Sequence, residues 1–164
     1  MNRIFFAVFA GLGATLAIAV LSYSDAATSN TALLMAPFGA TAVLVFGLPK
    51  SPLAQPLNVI FGHLITAFIG IFFSEFIGVT PFSLAIATGF AVSAMLLTKT
   101  THPPAGANPL LIMLSGQSWM FLLTPVLFGA VVIVLVGLCM QRLETSSFAQ
   151  RVIKNDQMLT KPKG

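Results

Sequence analysis

Hydrophobic positions do not alternate with polar ones along this chain; they fill it in long blocks. Residues 4–24 carry no charged side chain, nor do 26–49, 51–74 and 76–98, and 100–141 form a run of 42 residues without one. About 20 apolar residues in helical conformation span the hydrocarbon core of a bilayer. The first four blocks therefore fit one crossing each, and the fifth fits two. The breakers between them predict helices over 4–23, 57–79, 82–98 and 119–140, with two poorer segments at 31–48 and 102–116. Pro49, Pro52 and Pro56 follow the second segment and Pro81 precedes the fourth, where chain reversals are needed.

The two poorer segments share one peculiarity. Each has proline followed closely by glycine: Ala36-Pro37-Phe38-Gly39-Ala40 in segment 2 and His102-Pro103-Pro104-Ala105-Gly106-Ala107 in segment 5. Proline suits the first turn of a helix, where its missing N–H is not needed. Both segments are therefore expected to be extended chain followed by a half-helix beginning at the proline. Shifted by 67 residues, Pro37 falls on Pro104, Gly39 on Gly106, Ala40 on Ala107, Leu44 on Leu111 and Gly70 on Gly137. Nine of the 37 pairs from Pro37 to Phe73 are identical, where this composition gives about three by chance. The matches fall on glycine and proline, which points to an internal repeat. Three crossings separate the units, so they run in opposite directions. The expected fold is an all-α membrane protein of about six membrane segments, a 3+3 inverted repeat with segments 2 and 5 broken. The repeat halves are residues 1–79 and 80–141 of a transmembrane domain, and 142–164 form a basic cytoplasmic tail.

Composition identifies the solvent. Hydrophobic residues make up 57% of the chain and charged residues 7%, against about a quarter charged in soluble domains. The net charge of +4 does not point to nucleic acid, because Lys and Arg stand at segment ends and form no stripe. With the N-terminus inside, six crossings place Arg3, Lys50, Lys99, Arg142, Arg151, Lys154, Lys161 and Lys163 all on the cytoplasmic side. That is the positive-inside rule. It also requires segment 5 to cross. The expected location is a bacterial inner (plasma) membrane, multi-pass, with both termini cytoplasmic. Residues 1–24 share a basic start and an apolar run with secretory signals, but the run is long for a signal core, and the repeat uses it as a helix. The tail is expected to begin as a short amphipathic surface helix, with residues 160–164 disordered. Cys139 is the single cysteine, so no intrachain disulfide forms.

The opposed half-helices suggest a site. A helix N-terminus carries partial positive charge and unpaired N–H groups, which suit an anion. The candidate binding residues are Phe38, Gly39, Ala40, Thr41, Ala105, Gly106, Ala107 and Asn108. The glycines let a ligand approach the backbone. Thr41 and Asn108 match in the repeat and either donate to an oxyanion or brace the broken backbone. No Lys or Arg lies inside the membrane, which fits weak, reversible binding. His63, Lys99 and His102 are candidates for gating or proton transfer. For both histidines a structural hydrogen bond is the competing role. Asn58 and Gln55 read as caps at the start of helix 3, and Glu75 as a side chain snorkelling to the interface. Gly11, Gly13 and Ala17, and Gly62, Thr66 and Gly70, read as helix-packing faces. No metal-ligand cluster, phosphate loop, paired carboxylates or catalytic triad stands out. The expectation is a protein that is not an enzyme, uses no metal or cofactor, and has the lipid bilayer, a small anion and a further copy of itself as partners.

In order along the chain, Ala36-Pro37-Phe38-Gly39-Ala40, Ser51-Pro52-Leu53-Ala54-Gln55-Pro56, Asn58-Val59-Ile60 with Gly62-His63, and Thr101-His102-Pro103-Pro104-Ala105-Gly106-Ala107 resemble the HPP family of integral membrane proteins. The resemblance covers roughly residues 34–136. Members have been linked to nitrite transport in cyanobacteria and chloroplasts, so it implies a nitrite-like monovalent anion. The chain departs from the family pattern at Leu57, where a basic residue is common. A neutral-solute channel and a non-transporting membrane subunit or scaffold are the alternative functions.

Overall fold

The computed structural model describes residues 3–27 and 34–145. All the secondary structure among the described residues is helical. Helix α1 spans Arg3–Ala27. Helix α2, Ala36–Ala42, runs on into a wider π-type turn at Val43–Gly47. A 3-10 turn at Pro52–Ala54 leads into α3, Pro56–Phe76, and α4 covers Pro81–Leu97. A second 3-10 turn, Pro103–Ala107, opens into α5, Asn108–Ser115. A π-type turn at Leu122–Leu127 precedes α6, Phe128–Thr145. Three of these, Arg3–Ala26, Pro56–Phe76 and Leu122–Thr145, are long and apolar enough to cross a membrane.

The sequence explains where the elements begin. Proline occupies the first turn of α2, α3, α4, α5 and both 3-10 turns, where no backbone donor is lost. Thr80 and Ser83 cap α4 reciprocally: the Ser83 N–H donates to Thr80 Oγ1 at 3.0 Å and the Thr80 N–H to Ser83 Oγ at 2.9 Å. Gly116, at φ 63°, ends α5 in the left-handed region that glycine enters without strain.

The boundaries differ from expectation in physically simple ways. Leu34 and Met35 are not helical, so the start at the proline motif is not among the differences. The last long helix does not begin regularly at Trp119, because Thr124 before Pro125 has non-helical backbone angles (φ −132°, ψ 118°), as expected before proline. That helix also continues past Met140 to Thr145. Residues 142–145 of the expected tail thus continue this helix, and the rest of it, 146–164, lies outside the described residues.

Helix α3 is the centre: α4, α5, α6 and both 3-10 turns pack on it, while α1 packs on α6 and on the Val43–Gly47 turn. The core gathers Phe38, Val45, Val59, Ile71, Ile112, Val126 and Ile133, and the large side chains Phe72, Phe76, Phe82, Phe90 and Leu97 point outward. Helices this apolar on their outer faces suit a lipid surround. Glycines set the closest approaches. A Cβ at Gly70 would lie 2.8 Å from the Cα of Pro109 and 3.3 Å from the Cβ of Ile112. A Cβ at Gly137 would meet the side chain of Val45, and one at Gly129 would collide with the Phe38 ring. Gly13 meets Phe46 and Met140 in the same way, while Gly11 is exposed.

Candidate functional site

Among the described residues, five polar side chains are fully buried in this apolar bundle: Thr41, His63, Thr66, His102 and Asn108. They come from four places. Thr41 stands on α2, and His63 and Thr66 stand one turn apart on α3. His102 precedes the Pro103–Ala107 turn, and Asn108 opens α5. The Phe38 ring meets the His63 ring edge-on at 5.4 Å, and the two imidazoles lie 5.0 Å apart. Burying such groups without partners would cost several kcal/mol in total, at about 1–3 kcal/mol each. They satisfy one another instead.

The hydrogen bonds have a definite direction when both rings are neutral. His102 Nδ1 lies 2.8 Å from the carbonyl of Leu53. A carbonyl only accepts, so this nitrogen carries the proton and His102 Nε2 is an acceptor. Thr41 Oγ1 lies 3.0 Å from that Nε2 and donates to it. Its lone pairs then accept from His63 Nε2, 2.8 Å away. His63 Nδ1 is left as an acceptor, and Asn108 Nδ2 donates to it at 3.0 Å. Asn108 Nδ2 also reaches the His63 carbonyl at 3.1 Å and Thr66 Oγ1 at 3.0 Å. With both rings neutral, these acceptors set which way the amide faces. Thr66 Oγ1 donates in turn to the Gly62 carbonyl at 2.8 Å. One amide, two imidazoles and a hydroxyl thus form a continuous chain from Asn108 to Leu53.

Two acceptors stand outside this chain. The Pro37 carbonyl lies 3.1 Å from Thr41 Oγ1 and competes for its single proton. Asn108 Oδ1 is, among the described residues, the buried side-chain atom with no hydrogen-bond partner.

The eight candidate binding residues separate by face. Phe38, Thr41, Ala105 and Asn108 are buried. Gly39, Ala40 and Ala107 are exposed on the outside of the bundle, and Gly106 is half-buried. A Cβ at Gly39 or Gly106 would meet nothing within 4 Å. Of the gating candidates, His63 and His102 join the network. Lys99 is exposed at the end of α4, in the left-handed region at φ 57°. Leu57 is exposed and points away from the network. Asn58 does not cap α3; its amide donates to the Thr101 carbonyl at 3.0 Å and ties α3 to the chain before His102. Gln55 is the N-cap residue by position, but its side chain bonds the carbonyls of Ser51 and Pro49.

Sequence reasoning missed Thr66 as a partner of Asn108. The available signal was its spacing three residues after His63, which puts both on one helical face. The role of the Leu53 carbonyl had no sequence signal, since every residue carries such a group.

A family model described as "HPP, transmembrane region" matches residues 2–149. The chain is also similar to two curated transmembrane proteins of Dictyostelium discoideum, at 35% and 36% identity over 131 residues. Each alignment covers 75% of this chain, with 46% of the first relative and 42% of the second. The chain thus spans less than half the length of these relatives. No solved structure matches it.

Proposed function

We propose, from the premise that this chain belongs to the HPP transmembrane family, that it is a membrane transporter or channel for a small monovalent anion of the nitrite type. The observation that carries the proposal is the buried, uncharged network where α2 and the Pro103–Ala107 turn meet on α3. Polar groups inside a membrane bundle are costly and mark pathways. Thr41, His63 and Asn108 supply donors, and their hydrogen-bond partners include no carboxylate. With no Lys or Arg among them, an anion would bind weakly enough to leave again.

The inverted repeat supports the same reading. Gly70 approaches Ile112, and Gly137 approaches Val45. Adding 67 to Gly70 gives Gly137, and adding 67 to Val45 gives Ile112. The two contacts are therefore exchanged between halves, as a pseudo-twofold axis requires. Sites in such transporters lie where broken helices of the two halves meet. In this reading the termini are cytoplasmic, in the orientation that the positive-inside rule selects. A second copy packs on the small-residue face of Gly39, Ala40 and Ala107 and closes the path against lipid.

A neutral solute bearing an N–H or O–H group is the second reading, favoured by the unpartnered acceptor Asn108 Oδ1. Uptake of labelled nitrite into liposomes holding Thr41→Val or Asn108→Leu tests the site. Both variants are expected to fall to the protein-free rate. Wild-type uptake by both, with fold retained, would sink the anion site.

A further inference from the structure

Each imidazole in the buried network has a rotatable polar neighbour with an acceptor in reserve. For His102 the neighbour is Thr41. Its hydroxyl donates to His102 Nε2 at 3.0 Å when the ring is neutral, and the Pro37 carbonyl stands by at 3.1 Å. When Nε2 takes a proton, the Thr41 hydroxyl turns its own proton to Pro37. Its two lone pairs then accept from both imidazoles. For His63 the neighbour is Asn108. Its amide donates to His63 Nδ1 at 3.0 Å, and its Oδ1 has no partner. When Nδ1 takes a proton, half a turn of the amide brings Oδ1 to accept it, in exchange for the Nδ2 bonds to the His63 carbonyl and Thr66 Oγ1. Buried polar groups without partners are rare and call for a cause. An acceptor waiting for a proton is such a cause.

We infer that the Thr41–His63–His102–Asn108 network binds one proton and relays it between its two rings. A proton is thereby the co-substrate of the transported anion. The co-substrate role rests on the anion-transport reading above; the proton site does not. The relay balances atom by atom. A proton from water arrives at His63 Nδ1. The proton on His63 Nε2 passes 2.8 Å to Thr41 Oγ1. The original Thr41 proton passes 3.0 Å to His102 Nε2. His63 ends neutral in its other tautomer, Thr41 is restored, and His102 holds the charge. A proton delivered this way would neutralise a monovalent anion beside it, in a membrane interior where an unpaired charge is costly.

The surroundings leave these rings to each other. On the elements packed around them, Thr41 comes from α2, the Leu53 carbonyl from the Pro52–Ala54 turn, Asn58 and Thr66 from α3 and Asn108 from α5. Helix α4 contains no titratable residue. On α6, Cys139 and Arg142 are exposed, and Glu144 lines a separate pocket with Phe6 and Pro49. Lys50 and Lys99 are exposed.

The chain has two histidines, so ¹⁵N-histidine labelling of the full protein in bilayers reads both rings directly. His63→Gln assigns them. At neutral pH His102 is expected as the Nδ1–H form and His63 as the Nε2–H form. On acidification one ring is expected to become doubly protonated, reversibly and with the fold intact. Two rings in the same tautomer, or no reversible protonation before unfolding, would overturn the proton site. The same protein in liposomes with a trapped pH dye tests the co-substrate role. Nitrite entry above the protein-free background is expected to carry protons inward. Thr41→Val is expected to abolish that proton movement, and Thr41→Ser, which keeps the hydroxyl, to restore it. Nitrite entry without protons would overturn the co-substrate role and leave the transporter standing. Protonating rings with no nitrite entry would overturn the transport reading and the co-substrate role with it, while the proton site stood.

Discussion

The segment beginning at Ala36 opens directly as an α-helix and reaches the network with a hydroxyl. The segment beginning at Pro103 opens as a 3-10 turn and reaches it with an amide. Thr41 and Asn108 each follow a Gly-Ala pair and are 67 residues apart. They bind the same ring, His63, on opposite nitrogens. The histidines themselves have no counterparts. The position matching His102 is Met35, and the one matching His63 is Ala130, both buried. The Gly-Ala pattern shared by the two segments thus brings two polar arms together, and the titratable groups lie outside that pattern.

The largest expected effect tests whether the halves are packed equally tightly. A Cβ at Gly70 would press on the Pro109 backbone, which cannot move without shifting α5. Gly70→Ala is expected to lower stability by about 1–3 kcal/mol, the usual cost of overpacking. At the matching Gly137 the obstacle is one methyl of Val45, a side chain that can turn aside. Gly137→Ala is expected to cost under about 1 kcal/mol, below that overpacking range. Thermal unfolding in detergent micelles compares them, and equal losses would show the two contacts to be equally rigid.

A smaller effect concerns Leu57, which stands where the family pattern often has a basic residue. It is exposed and outside the network. Leu57→Arg is expected to improve half-saturation for nitrite by about twofold at low salt, through attraction at the mouth alone. High salt should erase the gain. A salt-independent gain would instead place position 57 in contact with the anion. Smallest of all, Gly39→Ala and Gly106→Ala add a methyl where nothing lies within 4 Å. In dilute detergent each is expected to change stability by no more than about 0.5 kcal/mol. In bilayers, where a second copy packs on Gly39 in the reading above, Gly39→Ala is expected to lose more than in dilute detergent, and an equally small change in both would contradict that contact.

Much of the helical frame was legible in the sequence. Charge-free runs contain the helices, three of them long and apolar enough to cross a membrane, and the prolines at positions 37, 56, 81 and 103 mark starts that the structure keeps. The kink at Thr124 was less visible, since a single proline in an apolar run does not say where the helix resumes. Within the candidate site, the Gly-Ala repeat drew attention to Thr41 and Asn108. That both converge on His63 depends on which face of α3 packs inward, and an apolar helix with polar residues this sparse does not announce it. The same ambiguity hid the division of the eight candidates. Phe38 and Thr41, three apart on one turn, face in, while Gly39 and Ala40 between them face out. Rotating that short helix by half a turn would reverse the assignment.

Transport of a small anion is the central claim, and uptake of labelled nitrite into liposomes containing the purified protein tests it most directly. Uptake is expected to rise with protein amount, to be competed by nitrate or formate, and to be lost in Asn108→Leu. Uptake no faster than in protein-free liposomes, with or without a pH gradient, would contradict that claim.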